Sequence, residues 1–474
     1  MNPYEPTSPQ LQRLLADNRD AARPHTTRFV ALGAGAIDAL PTFFKETFPG
    51  RDALLIADEH TLEAAGHAAE AALHNAGVPV RRLILEPRSN DLSGQPGSPN
   101  THRDDHLIAE DGIITSVQTL LASTEAIVVA VGAGTINDIG KYASFKLGRE
   151  YIAVPTAASM NGYTSTIAAV LVGGVKRTLP CGQPIAIFAD TGVLMRAPPH
   201  LNLAGFGDLL SKPVSQGDWL LSHFVRDVPY ATRPNEILED LFRELLDQAA
   251  PIGKADEYGL HVLMEAILVS GFSMAVAGSS APASGGEHLV SHYWDMEQLD
   301  QHLPLLGLHG TQVGIATRLS AMLFERFLAI DPATIDPTAL AALAAKKHAP
   351  TASDFATRHR TLGAGVVSEI GIQLARKQRY GADLERELTL IKDRWPTIFD
   401  RIGQVMLPVA TIEKALREAG CPDRPSQIGC TIERAIHALI VCRDMRDRYV
   451  ALDLMDDLGL LEAWAHEVVT AAEA

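Results

Sequence analysis

The pattern of apolar runs changes character once along this chain, near residue 195, and that change limits the folds open to it. Before it, short β-branched runs alternate with segments of helical period. RDALLIAD (Arg51–Asp58) is an apolar run ending in a polar turn, and TLEAAGHAAEAALHNAG then carries helical spacing and closes on a glycine. VPVRRLILE, AIVVAVGAG (Ala126–Gly134) and YIAVPT (Tyr151–Thr156) are further strand candidates, with a helix candidate over His106–Ala122. Strands alternating with helices imply a parallel sheet covered by helices on both faces. From about Pro198 onward, Ala/Leu-rich helical segments dominate: Asn235–Ala249, Leu260–Ala277, Gln312–Leu328, Leu362–Lys377, Ala382–Lys392, Ile432–Arg446 and Leu458–Ala472. The expectation is an α/β domain over residues 1–195 and an all-α domain over residues 196–474.

Charge and composition exclude several functions. The 57 acidic residues outnumber the 41 basic ones, for a formal charge of −16, so a phosphate-neutralising nucleic-acid face is not expected. An anionic substrate must then be held by local positive groups against an unfavourable overall field. Cys181, Cys421, Cys430 and Cys442 form no CxxC pair, which disfavours a zinc knuckle or a disulfide framework and suits a reducing cytosol. The opening MNPYEPTSPQLQRLLADNRD lacks the build of a signal peptide. The longest apolar stretch, around Val262–Gly278, contains Glu265 and reads as a buried helix rather than a membrane span. A soluble cytoplasmic chain follows as the expectation. The first ~25 residues and the Ser89–Asp105 insertion, rich in Pro, Gly and Ser, are expected to be mobile.

Three stretches carry candidate chemistry. In VAVGAGTINDIGKYAS (Val129–Ser144) a strand runs into Gly132, Ala133, Gly134 and Thr135, then into a helix bearing Asp138. Glycines let backbone N–H groups approach a pyrophosphate, and a helix N-terminus favours negative charge. The spacing is not GxGxxG, however, and a strand-to-helix turn needs glycine for steric reasons too. Asp58, after the first strand candidate, suits either a ribose hydroxyl or a helix cap. In the helical half, AGFGDLLSK, SGGEHLVSHYWD and LHGTQVG present Asp208, His288, His292 and His309. Carboxylate and imidazole are ligands for first-row metals, and three protein ligands leave a position open. Glycines beside Asp208, His288 and His309 suggest close approach to a crowded centre; the competing reading of the His288/His292 pair is structural. PTAASMNGYTSTIAAV (Pro155–Val170) supplies Thr156, Ser159, Asn161 and Tyr163, either a cofactor-lining loop or a hydroxyl-rich turn.

Taken together, GAGTINDIGKYAS, VPTAASMNGYTS, IFADTGVLMRAPPHLNLAGFGDLLSK, GGEHLVSHYWDM and LHGTQVGIA resemble the iron-containing alcohol dehydrogenase and dehydroquinate synthase-like superfamily, in its sn-glycerol-1-phosphate dehydrogenase branch. The resemblance spans roughly Leu54–Ala316; the C-terminal part is compatible in helical character only. It implies a Rossmann-like N-terminal domain, a helical C-terminal domain, an active site in the cleft between them and a homodimer. Gly132, Gly134, Thr135 and Asp138 would surround NAD(H) or NADP(H), with Thr156 and Ser159 nearby. Asp208, His288 and His309 would bind one divalent metal, whether zinc, nickel or iron. His292 sits where the family has a second histidine near the substrate. Lys212 replaces a further histidine one turn after the metal aspartate and becomes a phosphate or substrate contact, as does Lys176. Asn161 stands where the family usually has an aspartate that contacts substrate hydroxyls. Pro213 is expected to kink the helix carrying Lys212.

What the resemblance implies is reduction of dihydroxyacetone phosphate to glycerol 1-phosphate, or of a related phosphorylated ketone. The metal would polarise the ketone and the nicotinamide would supply hydride. A water chain or His292 would supply the proton. Asp58 leans toward NAD, because a carboxylate repels the 2′-phosphate of NADP. Two alternatives are a dehydroquinate synthase-like cyclase and a catalytically weakened binding relative.

Overall fold

The computed structural model describes residues 8–86, 107–172, 175–301, 303–346 and 352–474, so the Ser89–Asp105 insertion lies outside the described residues. Two compact units are present. The first comprises residues 1–202 and 255–275; the second comprises residues 203–254 and 276–474. The first unit thus ends seven residues beyond the expected boundary and takes in most of the long helix Glu257–Ala277, which the sequence reading put with the helical half.

Among the described residues of the first unit eight strands form: β1 (Phe29–Gly33), β2 (Ala53–Ala57), β3 (Val80–Ile84), β4 (Ile127–Val131), β5 (Tyr151–Val154), β6 (Ile167–Val172), β7 (Val175–Pro180) and β8 (Ala186–Asp190). Six make one sheet in the order β1-β8-β5-β4-β2-β3, every pair parallel. Helices cover both faces, so β2, β4 and β5 are buried at every position and read as unbroken apolar runs. The edge strand β3 exposes Arg81 and Arg82. Leu55, Val129, Ile152 and Phe188 from the sheet pack with Phe44 and Leu73 from helices in one core. β6 and β7 form a separate antiparallel hairpin.

This order contains a topological switch. From β2 the chain crosses to β3 on one side, and from β4 it crosses to β5 on the other, so the turns after β2 and β4 diverge and leave a crevice at the strands' carboxyl ends. Asp58 follows β2 and Gly132–Gly134 follow β4. The sheet therefore brings together the two dinucleotide motifs read separately in the sequence.

The expected mobility of the N-terminus does not hold over residues 9–21. They form a helix that Ser8 caps through Leu11 N at 3.1 Å, with Pro9 at its first position. Leu11, Leu14 and Leu15 are buried, and Ser8 N donates to Glu265 Oε1 at 2.7 Å. That bond satisfies a carboxylate in the middle of Glu257–Ala277, a helix long and apolar enough to cross a membrane, 78% of whose most apolar window is buried in the protein.

In the second unit the helix bearing Asp208 (Pro199–Leu209) stops, and a new one (Lys212–Arg226) begins with Pro213 in its first turn. A first-turn amide has no partner within its helix, so the proline breaks no bond there. The expected kink is replaced by a helix start. Ile432–Arg446 also departs from the sequence reading: the helix ends at Val441, a tight turn spans Cys442–Met445, and Arg446 is extended.

Candidate functional site

The helix Gly286–Asp300 is buried on every side from Gly286 to Gln298, although it carries Glu287, His288, Ser291, His292, Asp295, Glu297 and Gln298. Polar groups removed from water on all faces of a helix are costly unless they bond to one another or to a ligand. Beside it lies the start of the helix His309–Leu328. Its first turn crosses the Asp208 helix where both backbones are bare. A Cβ on Gly310 would lie 1.9 Å from Ala204 O, and one on Gly207 would lie 2.5 Å from Gly310 O. Only glycine permits that crossing, and it brings Asp208 and His309 together.

The result is a three-donor cluster. Asp208, His288 and His309 each offer one ligand atom, all within 4.8 Å of one another. His288 Nε2 stands 3.2 Å from Asp208 Oδ1. Donors ~2.1 Å from a tetrahedral ion would be about 3.4 Å apart, so the pair is spaced for a shared cation. The surroundings fix the imidazole protons. His288 Nδ1 lies 2.7 Å from Glu287 Oε1, an acceptor, so Nδ1 carries hydrogen, and Nε2, which faces Asp208, is the atom a cation would take in place of its proton. For His309 the order runs through three side chains. Gln312 Nε2 donates to Asp295 Oδ1 at 3.0 Å, which turns Gln312 Oε1 toward Ser291. Ser291 Oγ donates to that oxygen at 2.7 Å and so accepts from His309 Nδ1 at 2.8 Å. His309 thus carries its proton on Nδ1, which makes Nε2 the ligating atom. Burial pushes the His288 pKa down, but hydrogen bonds and charge from Asp208 and Glu287 more than offset this and hold it above its ordinary value. An anionic carboxylate and two imidazoles held through their Nδ1 atoms suit a divalent cation.

His292 belongs to the same cluster. Its ring centroid is 6.3 Å from that of His288 and 5.3 Å from that of His309. Arg446 Nη2 lies 3.2 Å from His292 Nδ1. A guanidinium can only donate, so Nδ1 accepts and the imidazole proton sits on Nε2. Lys212 is buried; its Nζ donates to Pro282 O at 3.1 Å, and burial, opposed by Asp208 and Glu287, pulls its pKa down to about 7.

The dinucleotide candidates lie in the first unit. Gly132 and Gly134 sit where a Cβ would meet Ile136 Cβ at 2.5 Å and Met160 Cγ at 2.9 Å. Thr135 is in the first turn of the helix Gly134–Lys146, whose N-cap, Ala133, makes no side-chain bond to it. The amides of that turn are therefore available to an anion. Thr156 N donates to Gly132 O at 3.3 Å, linking the two loops. Asp138 Oδ2 accepts from Ala169 N at 3.0 Å. Ser159 hydrogen-bonds Tyr163, whose hydroxyl donates to Ala157 O at 2.8 Å. Asp58 caps the helix that follows β2, with Oδ1 accepting from Thr61 N at 2.7 Å. Asn161 is buried in the loop after β5. Lys176 is on β7, and its side chain lies outside the described residues.

Sequence reading had not singled out Glu287, Ser291, Gln312, Asp295 or Arg446. Four of these are spaced around the metal motifs, and their polarity among the apolar residues of largely buried helices is the signal that could have found them. Arg446 is 154 residues from His292, and nothing local marks it.

Residues 31–198 match a family model described as iron-containing alcohol dehydrogenase. The NAD(P)+-linked glycerol-1-phosphate dehydrogenase of Geobacillus stearothermophilus is 35% identical over 272 residues, covering 57% of this chain and 64% of the relative, slightly under two thirds of its length. That of Bacillus velezensis is 34% identical over 301 residues, covering 63% and 72%. Among solved structures, the glycerol dehydrogenase of Schizosaccharomyces pombe superposes with a TM-score of 0.55 at 14% identity, covering 95% of this chain and 93% of that one, a likeness of fold. The chain belongs to the glycerol-1-phosphate dehydrogenase branch of the iron-containing alcohol dehydrogenase superfamily, with its parallel-sheet N-terminal part and helical C-terminal part.

Proposed function

We propose that this chain is a metal-dependent, NAD(P)-linked oxidoreductase that interconverts dihydroxyacetone phosphate and sn-glycerol 1-phosphate. The observation that carries the reading is the Asp208/His288/His309 cluster, its ligand atoms within 4.8 Å, in a chain whose relatives bear that activity in their names. A divalent ion held there supplies Lewis acidity to a ketone oxygen. Bound NAD(P)H would supply the hydride. The chain's own residues prepare the rest. Glu287 and the Ser291–Gln312–Asp295 series hold a proton on each Nδ1 and leave each Nε2 as the ligating atom, so the two imidazoles need not rotate when they ligate. His292 keeps its proton on Nε2, a donor for the substrate oxygen as that oxygen gains charge. Gly132, Gly134, Thr135, Asp138, Thr156 and Ser159 are the proposed dinucleotide contacts, and Asn161 is a proposed contact to a substrate hydroxyl. Asp58, already capping a helix with one oxygen, is proposed to receive the ribose with the other, which favours NAD. A reducing cytosol fits four cysteines that are all free thiols, and a homodimer is the assembly the family resemblance suggests.

The test is direct. Metal-loaded protein is mixed with NADH or NADPH and dihydroxyacetone phosphate, and absorbance of the reduced nicotinamide is followed. Ketone-dependent oxidation yielding glycerol 1-phosphate supports the proposal; its absence with zinc, nickel and ferrous iron alike refutes it. No specific observation favours the cyclase or the weakened-relative reading.

A further inference from the structure

In a chain of net charge −16, a phosphorylated substrate needs cations placed beside the metal ligands. Lys212 stands beside Asp208 and Glu287, its ammonium donating to Pro282 O. Arg446 is a second cation at the cluster. Its guanidinium bonds His292 Nδ1, and the His292 ring packs beside His309, so the charge stands one imidazole away from the metal cluster. A guanidinium has five N–H donors in a planar fork and can bond an imidazole and an anion together. Burial and the neighbouring Arg448 pull its pKa down to about 10, which still leaves it cationic at neutral pH.

The segment carrying Arg446 is clamped on both sides. Arg443 Nη1 bonds Asp453 Oδ1 at 2.8 Å, and Lys377 Nζ donates to the carbonyls of Arg443 and Arg448. Arg448 donates to Ser284 O and, at 2.9 Å, to Ser280 Oγ, tying the segment to the loop just before the helix of His288. A long side chain anchored this way is pre-organised, which lowers the entropic cost of gripping an anion.

We propose that Arg446 recognises the phosphate monoester end of the substrate and selects a phosphorylated ketone over its uncharged counterpart. This rests on the dehydrogenase reading for the identity of the ketone, whereas the anion site itself does not. The test uses the full chain with Arg446→Gln and Arg446→Lys, their folding checked by circular dichroism. In metal-loaded enzyme the ratio of kcat/KM for dihydroxyacetone phosphate to that for dihydroxyacetone should fall ~10–100-fold in Arg446→Gln, and less in Arg446→Lys, as expected for a charge-assisted contact. By calorimetry, inorganic phosphate should bind the wild-type chain, metal-free and metal-loaded, and bind Arg446→Gln at least ~10-fold more weakly. An unchanged ratio, an equal loss for both ketones, or unchanged phosphate affinity would overturn the assignment. A wild-type enzyme inert toward dihydroxyacetone phosphate would instead refute the dehydrogenase reading, and calorimetry would then decide on Arg446 alone.

Discussion

Glu287 touches no substrate and is not among the three proposed ligands, yet its replacement should be read out as lost metal. The side chain is wholly buried, and Oε1 accepts from both His288 Nδ1, at 2.7 Å, and Gly285 N, at 2.8 Å. Glutamine keeps an acceptor in place but removes the charge. A bond to a charged group is worth about 1.5–3 kcal/mol and a neutral one about 0.5–1.5, so Glu287→Gln should cost about 1–1.5 kcal/mol, or ~10-fold in metal Kd. Alanine strands two buried donors at about 1–3 kcal/mol each, so Glu287→Ala should lose ~100-fold or more. The assay is equilibrium metal content at free concentrations set by a chelator buffer, with circular dichroism confirming that each variant is folded. A folded Glu287→Ala with unchanged metal Kd would show that His288 needs no orienting carboxylate, and the proton-placement argument would fail.

Other consequences follow from the same geometry. Ser291→Ala leaves His309 Nδ1–H without its acceptor and should weaken metal ~10-fold, with Gln312→Leu behaving alike; equal affinity in both would break the proposed series. Gly310→Ala puts a methyl 1.9 Å from a backbone carbonyl that cannot rotate away, so thermal unfolding should show a loss of at least about 2–3 kcal/mol together with loss of metal. Asp218 is buried, and desolvation, reinforced by Glu287, pushes its pKa up to about 7 against two backbone N–H bonds. A raised acid gives stability that is complete below its unfolded value and is lost as pH rises toward the folded one. The metal-free protein should therefore lose up to about 1.4 kcal/mol per pH unit through this group between pH ~4 and ~7. Denaturant titrations across that range should find Asp218→Asn gaining on the wild type as pH rises, and a pH-independent difference would contradict the assignment.

Asp208, His288 and His309 were legible because ligand chemistry and adjacent glycines coincide in short strings, and Gly207 and Gly310 do make the close crossing those glycines suggested. β2 and β4 were legible because ALLIA and IVVAV each run into a polar or glycine turn and then a segment of helical spacing. β1 and β8 were not, since FVALG and AIFAD are five-residue apolar runs whose period cannot separate strand from buried helix. Pro213 misled because a proline's effect depends on where its helix begins: Ser211-Lys212-Pro213 marks a helix start, but the apolar run before it reads as one continuous helix. Arg446 was invisible for a deeper reason: CRDMRDRY reads as the charged end of a helix, and only tertiary packing turns one of its arginines onto His292.

One measurement bears on the centre of the account: stepwise return of zinc, nickel or ferrous iron to metal-free protein, with dihydroxyacetone phosphate-dependent NAD(P)H oxidation recorded at each addition. The rate should climb in proportion to metal and level off at one ion per chain, while His288→Ala stays flat. Full activity without metal, or an equal response from His288→Ala, would contradict it.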